Sequence, residues 1–215
     1  MNARQLFNRA EDERGEEKLD QAVTSYHQAK DVSKKEGDDW VSAESSHMVG
    51  VIFYQRGEYD EAKKALEIAY GEFKVIKDFD LMAATLRDLG LVLFEQKDYQ
   101  EAEKYLEESI KSLKNSSLKG HLGISQVKLG KVLGAQGKLK EAEKIIEQGI
   151  ENIEKSPEKF FASLAYFDLS GIQKQLGKEK EAQGSMEKSL VVLDQAAAGK
   201  HDSRREKIKK ELEKF

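Results

Sequence analysis

The chain has 215 residues, 39% hydrophobic and 35% charged, with one proline and a richness in Ala, Leu, Glu and Lys. That charge content exceeds the ~25% of an average globular chain and suits a high-surface helical shape, not an all-β or collagenous one. The net charge of −4, with both signs interleaved, disfavours nucleic-acid and membrane partners, and the absence of cysteine excludes disulfides, thiolate metal sites and cysteine nucleophiles.

Read in chain order, the sequence divides into five units in register at 40 residues, approximately 3–42, 43–82, 83–122, 123–162 and 163–202, followed by a short tail. In the first unit Ala10, Ala22, Tyr26 and Ala29 set the pattern. Arg9 and Glu13 stand where later units are apolar, so the first helix is expected to be half covered. In the second unit residues 43–56 predict a helix with Val49, Gly50, Ile52 and Phe53 on one buried face. Gly57 ends it, and a second helix starts near Glu58, with Leu66, Ala69, Tyr70 and Phe73 at steps of three and four.

The third unit repeats the scheme with Gly90, Lys97 at the turn, Tyr99, Ala102, Leu106 and Ser109. Asp98 followed by Glu101 is a capping-box arrangement. The fourth offers Gly130, Gly137, Leu139, Ala142, Ile146 and Gly149. The fifth offers Ser170, Gly177, Ala182, Met186 and Ser189, with Glu179 departing from the aromatic or leucine found at that place elsewhere. The tail, 203–215, carries an apolar stripe of Ile208, Leu212 and Phe215 opposite Arg204, Arg205, Lys207, Lys209 and Lys210. It predicts a capping helix that lies as a lid on the last pair, the alternative being a basic interaction helix.

The small residues have a mechanical meaning. Two helices joined by a tight turn cross closely only where a small side chain lets the backbones approach. Gly50 is expected to meet the neighbourhood of Ala62, and the same pairing recurs in each unit. A mid-helix glycine costs ~1 kcal/mol relative to alanine, so its recurrence predicts packing that offsets the cost.

Catalytic signatures do not emerge. No HExxH, Walker-type loop or GxSxG elbow occurs, and no histidine pair has metal-ligand spacing on a helix face. The adjacent carboxylates Asp38–Asp39 and Glu107–Glu108 read as solvated helix residues. The expectation is a protein that is not an enzyme and needs no cofactor. Residues 1–15 show no signal-peptide core and no run approaches the ~18 apolar residues of a membrane span, which predicts a soluble, cytoplasmic protein.

These columns resemble the tetratricopeptide repeat. The best match is Val49–Gly50, Phe53, Gly57, Tyr59, Ala62, Leu66 and Ala69. Next come Leu89–Gly90, Leu93, Tyr99, Ala102 and Leu106, then Leu129–Gly130, Leu133, Gly137, Leu139, Ala142 and Ile146. The period is longer than the family's ~34 residues, and the proline between units is missing except for Pro157, which resembles the long-repeat subclass. The resemblance implies an all-α, TPR-like helical-hairpin solenoid, a right-handed superhelix over residues 1–215 with the tail as its capping helix.

It also implies a concave groove lined by the first helix of each unit. Carried over by position, the groove residues are His47, Val51 and Tyr54, then Arg87, Leu91 and Phe94, then Val127 and Lys131, then Leu164 and Phe167. The lysine–asparagine clamp that some members place on a C-terminal carboxylate is not matched. The implied role is a scaffold or adaptor for a protein or peptide, held as an apolar-anchored helix or extended segment. The alternatives are a homo-oligomerising module, in which the same surface is buried in a homodimer, and a regulatory sensor that binds a peptide.

Overall fold

A computed structural model describes residues 1–157, 160–196 and 202–215, with the side chains of residues 196, 202 and 203 left aside. The described elements are eleven helices: α1 (Ala3–Gly15), α2 (Leu19–Glu36), α3 (Asp39–Gln55), α4 (Tyr59–Ile76), α5 (Phe79–Glu95), α6 (Tyr99–Leu113), α7 (Lys119–Ala135), α8 (Leu139–Glu154), α9 (Phe160–Gln175), α10 (Glu179–Ala196) and α11 (Asp202–Leu212). They fall into two compact units, Met1–Tyr105 and Leu106–Phe215.

The hairpin turns follow from backbone chemistry. At the end of α3 the chain enters the left-handed region at Gly57, φ +75°. There the Glu58 N–H donates to the Phe53 carbonyl at 2.9 Å and the Gly57 N–H to Tyr54 at 3.0 Å, the bond pair of a Schellman-type ending. Lys97 closes α5 in the same way, with φ +63° and the Asp98 N–H donating to Leu93 at 2.9 Å, so a side chain occupies a conformation that favours glycine. Helix starts are set by acidic caps. The Asp38 carboxylate accepts from the Val41 N–H at 3.3 Å, which starts α3 at Asp39, four residues before the start expected from hydrophobic spacing. Asp98 likewise accepts from the Glu101 N–H at 3.2 Å.

Small residues bring paired helices together in both units. In the first unit a Cβ added to Gly50 would lie 2.6 Å from Leu66 Cγ and 3.3 Å from the Ala62 carbonyl oxygen. Ala62, Leu66, Leu89 and Val92 form one core cluster, and Ala10, Ala22, Tyr26, Val49 and Ile52 another. In the second unit Gly130 meets Ile146 and the Ala142 carbonyl, while Gly123 and Gly149 abut backbone to backbone. Ser170 stands in the same column and keeps the close approach, its hydroxyl donating to the Ala182 carbonyl at 2.7 Å. The alanine column Ala22, Ala62, Ala102, Ala142 and Ala182 is fully buried.

The ends differ from the middle. Along α1, Ala3, Leu6 and Ala10 are buried and so is Glu13, which the sequence reading placed on a half-covered face. Its carboxylate is satisfied by the Ser25 hydroxyl at 2.7 Å and Arg9 Nε at 2.8 Å, so a charge is tolerated in an apolar column. At the other end α11 caps the second unit. Ile208 is buried with Met186 and Leu193, and Leu212 packs beside them. Phe215 stays 38% exposed under the Lys174 ammonium.

Substitutions at these crossings, at an open helix face and at a turn have different expected effects on stability. Gly123→Ala would press a methyl onto the Gly149 carbonyl and onto Ile153 Cγ1, and should cost about 1–3 kcal/mol. Gly71→Ala on α4, where a Cβ meets nothing within 4 Å, should instead add about 0.5–1 kcal/mol. Urea unfolding followed by circular dichroism separates the two. By the same measurement Lys97→Gly should raise stability by about 0.5–1 kcal/mol, since it removes left-handed strain at an exposed turn.

Candidate functional site

The sequence-derived groove residues of the first unit lie on α3 and α5, which pack side by side. Val51, Tyr54, Arg87, Leu91 and Phe94 are each partly exposed. The two aromatic rings repeat one arrangement. Tyr54 sits 6.0 Å from Tyr59 and Phe94 sits 5.6 Å from Tyr99, each ring leaning on the first residue of the following helix. Burial, with the charge of Glu95 behind it, pushes the Tyr54 phenol up to about 12. These side chains therefore offer half-covered apolar surface, with the Arg87 guanidinium beside them.

His47 is different. It is only 7% exposed. Its Nε2 lies 3.0 Å from Asp88 Oδ2, its Nδ1 3.9 Å from Glu44 Oε2, and its ring 6.2 Å from Phe73. Arg87 Nε in turn donates to Asp88 Oδ1 at 3.1 Å. Burial alone would lower the imidazole, but the bond to Asp88 and the charge of Glu44 outweigh it and hold His47 at about 9. Burial would raise Asp88, yet the Arg87 charge and His47 hold it at about 2. His47 thus joins α3 to α5 through Asp88 instead of presenting a free ring to the face. Asp88 was absent from the sequence-derived set; its signal was a carboxylate one residue beyond the Arg87 column.

In the second unit the expected residues lie on α7 and α9. Val127 is 4% exposed. The glycine at 149 lets α8 close onto it, and a Cβ there would fall 2.8 Å from Val127 Cγ2. Lys131, Leu164 and Phe167 remain partly exposed and border a cavity of about 260 Å³. Ser163, Arg204 and Lys207 complete much of its wall. The Lys207 ammonium stands 5.2 Å from the Phe167 ring centroid, so α11 partly roofs this residue. Asp168, 3.9 Å from Lys131 Nζ, is raised by burial against the lowering charges of Lys131, Lys128 and Lys207.

Among the described residues, no group of three or more His, Asp or Glu could hold a metal ion, and no helix is long and apolar enough to cross a membrane.

Residues 81–155 match the family model for the tetratricopeptide repeat. None of the curated proteins searched matches the chain. Among solved structures, BtubC (BKLC) from P. vanneervenii superposes with a TM-score of 0.74 at 14% identity, over 85% of this chain and 76% of that one. A putative kinesin light chain of nearly identical TPR-like repeats from Podosopora anserina gives a TM-score of 0.69 at 19% identity, over 88% and 93%. A Rap protein complexed with competence and sporulation factor gives 0.75 at 15% identity, over 87% of this chain but 52% of that one. The chain therefore has the fold of the tetratricopeptide-type helical-hairpin repeat proteins, and its central residues carry the repeat itself.

The buried histidine makes a pH prediction. A group whose pKa rises on folding contributes stability that is present below its unfolded value, about 6.5, and lost as pH climbs through about 9. The wild-type chain should lose on the order of 1–3 kcal/mol between pH 6.5 and 9.5. His47→Gln, whose amide does not titrate, should flatten that fall when urea midpoints are compared across the range.

Proposed function

We propose that this chain is a non-catalytic scaffold or adaptor, working in the cytoplasm, that holds a protein or peptide on the faces formed by the first helices of its hairpins. In the first unit the contact residues are Val51, Tyr54, Arg87, Leu91 and Phe94. In the second they are Lys131, Leu164 and Phe167. The occupant is an apolar-anchored helix or extended segment.

One observation carries this reading. Val51 and Leu91 stand 40 residues apart in the same column, on adjacent helices, and both remain partly exposed beside Tyr54 and Phe94. Covering such a face contributes about 25 cal/mol per Å² of apolar area removed from water. Arg87 adds a charged rim whose own bond to Asp88 fixes its direction. That a structurally similar Rap protein is complexed with competence and sporulation factor supports a ligand-holding use of such hairpins.

The test is a peptide array probed with wild-type chain and with Leu91→Asp. A carboxylate on this partly exposed position should weaken captured peptides about tenfold or more, with helical content unchanged by circular dichroism. Peptides retained equally by both proteins would refute the first-unit face. Light scattering on the same samples reads self-association. A dimer that dissociates in Leu91→Asp would assign the face to a second copy of the chain.

A further inference from the structure

Away from these faces, α8, α9 and α10 enclose an open cleft of about 440 Å³. Ile150, Tyr166 and Leu169 floor it. Its lips are carboxylates, Glu147, Glu151 and Glu154 from α8 and Glu181 from α10.

Among its lining positions Glu154, Gly184 and Tyr166 depart from the 40-residue register in a direction that favours a cation, while Lys188, where Gln148 and Glu108 stand in the two units before, adds an ammonium of the chain's own. In the three units before Glu154 stand Lys34, Lys74 and Lys114. In the three before Gly184 stand Lys64, Lys104 and Lys144. In the three before Tyr166 stand Ser46, Leu86 and Gln126. The cleft has exchanged one lysine column for a carboxylate and another for no side chain, and has gained a phenol ring.

Gly184 has no structural reason to be glycine. A Cβ there meets nothing within 4 Å and its backbone is ordinary helix, unlike Gly50, Gly123 and Gly130, which lie at helix crossings. A mid-helix glycine costs ~1 kcal/mol, and here no contact offsets it. What the missing side chain does is keep the cleft open between the glutamates.

A cation already sits in it. The Lys188 ammonium stands 5.4 Å from the Tyr166 ring centroid, and the Tyr166 hydroxyl donates to Glu154 Oε1 at 2.7 Å. An aromatic face, a carboxylate and an apolar floor are the surroundings that suit the head and the stem of a lysine or arginine. The nearby ammonium groups are Lys188, Lys155, bonded to Glu151 at 2.6 Å, and Lys178, which is paired with Glu143 and feels the charges of Glu147 and Glu181, so the four lip carboxylates exceed the ammonium groups by one.

We propose that this cleft docks a basic segment of a partner protein. An arginine or lysine of the partner places its charged head among Glu147, Glu154 and Glu181 and its stem along Ile150 and Leu169.

The experiment measures fluorescence anisotropy of a labelled peptide of alternating arginine and alanine on the full chain, with a glutamate–alanine peptide as control. The basic peptide should bind saturably and more weakly as salt rises, and the acidic one should not bind. Gly184→Lys restores the cation of the three preceding units in open space, so it should fold as well as wild type by thermal melting while raising Kd tenfold or more. Glu147→Gln, at an exposed lip, should raise Kd about threefold or more. Gln28→Lys adds the same single charge to an exposed position of α2 in the other unit and should leave Kd within twofold. The proposal is overturned if no saturable binding occurs, if the acidic peptide binds equally, if Gly184→Lys binds as wild type, or if Gln28→Lys weakens binding as much as Gly184→Lys.

Discussion

The close crossing of two helices at a column of small residues is the constraint from which the rest follows. At Gly50 and Gly130 the partner helix approaches until its Leu66 or Ile146 side chain fills the place of a Cβ, against the carbonyl of Ala62 or Ala142. The approach leaves no room for water along the seam, and the alanine column is buried without exception. Where glycine gives way to Ser170, the hydroxyl is directed into the Ala182 carbonyl and the distance is kept. Because protein interiors are close-packed, a change of one methyl at such a seam is felt, whereas the same change on an open helix face is not.

Most polar groups admitted to these interiors meet a partner, while Ser45 Oγ and His47 Nδ1 are buried without a hydrogen bond. Glu13 meets Ser25 and Arg9, and Lys30 joins Ser46 and Glu72 across three helices. His47 meets Asp88, and Ser109 meets Ser125 at 2.9 Å. Such pairs are weak arguments for stability, because desolvation takes back much of what the contact gives. They do fix which residue faces which, as His47 on α3 faces Asp88 on α5.

The repeat was legible because its columns answer to geometry at fixed spacing. Left-handed turn residues, crossing alanines and acidic caps cannot move without the hairpin failing, so Gly57, Lys97, Gly137 and Gly177 lie where the pattern puts them. The candidate faces were less legible. Position along a helix says which residues share a face, but not how far the next helix closes over them. Val127 is buried because α8 approaches at Gly149, a distance set by a pair of glycines and not by Val127 itself. His47 is buried because Asp88 lies 41 residues on, one step outside the repeat register, where a column-by-column comparison does not look. The acidic cleft is the opposite case, since its departures at Glu154, Tyr166 and Gly184 stand in the sequence but acquire a common meaning only when the helices bring them together.

A double-mutant cycle between Gly50 and Leu66 tests the crossing most directly. Gly50→Ala alone introduces a Cβ 2.6 Å from Leu66 Cγ, and Leu66→Ala alone empties that space. With the helices nested as described, the double variant should be more stable than the sum of the single losses by about 1–3 kcal/mol, the new methyl occupying volume that leucine vacated. Strict additivity of the two losses in urea unfolding would mean that these side chains do not meet, and would contradict the packing on which both units are built.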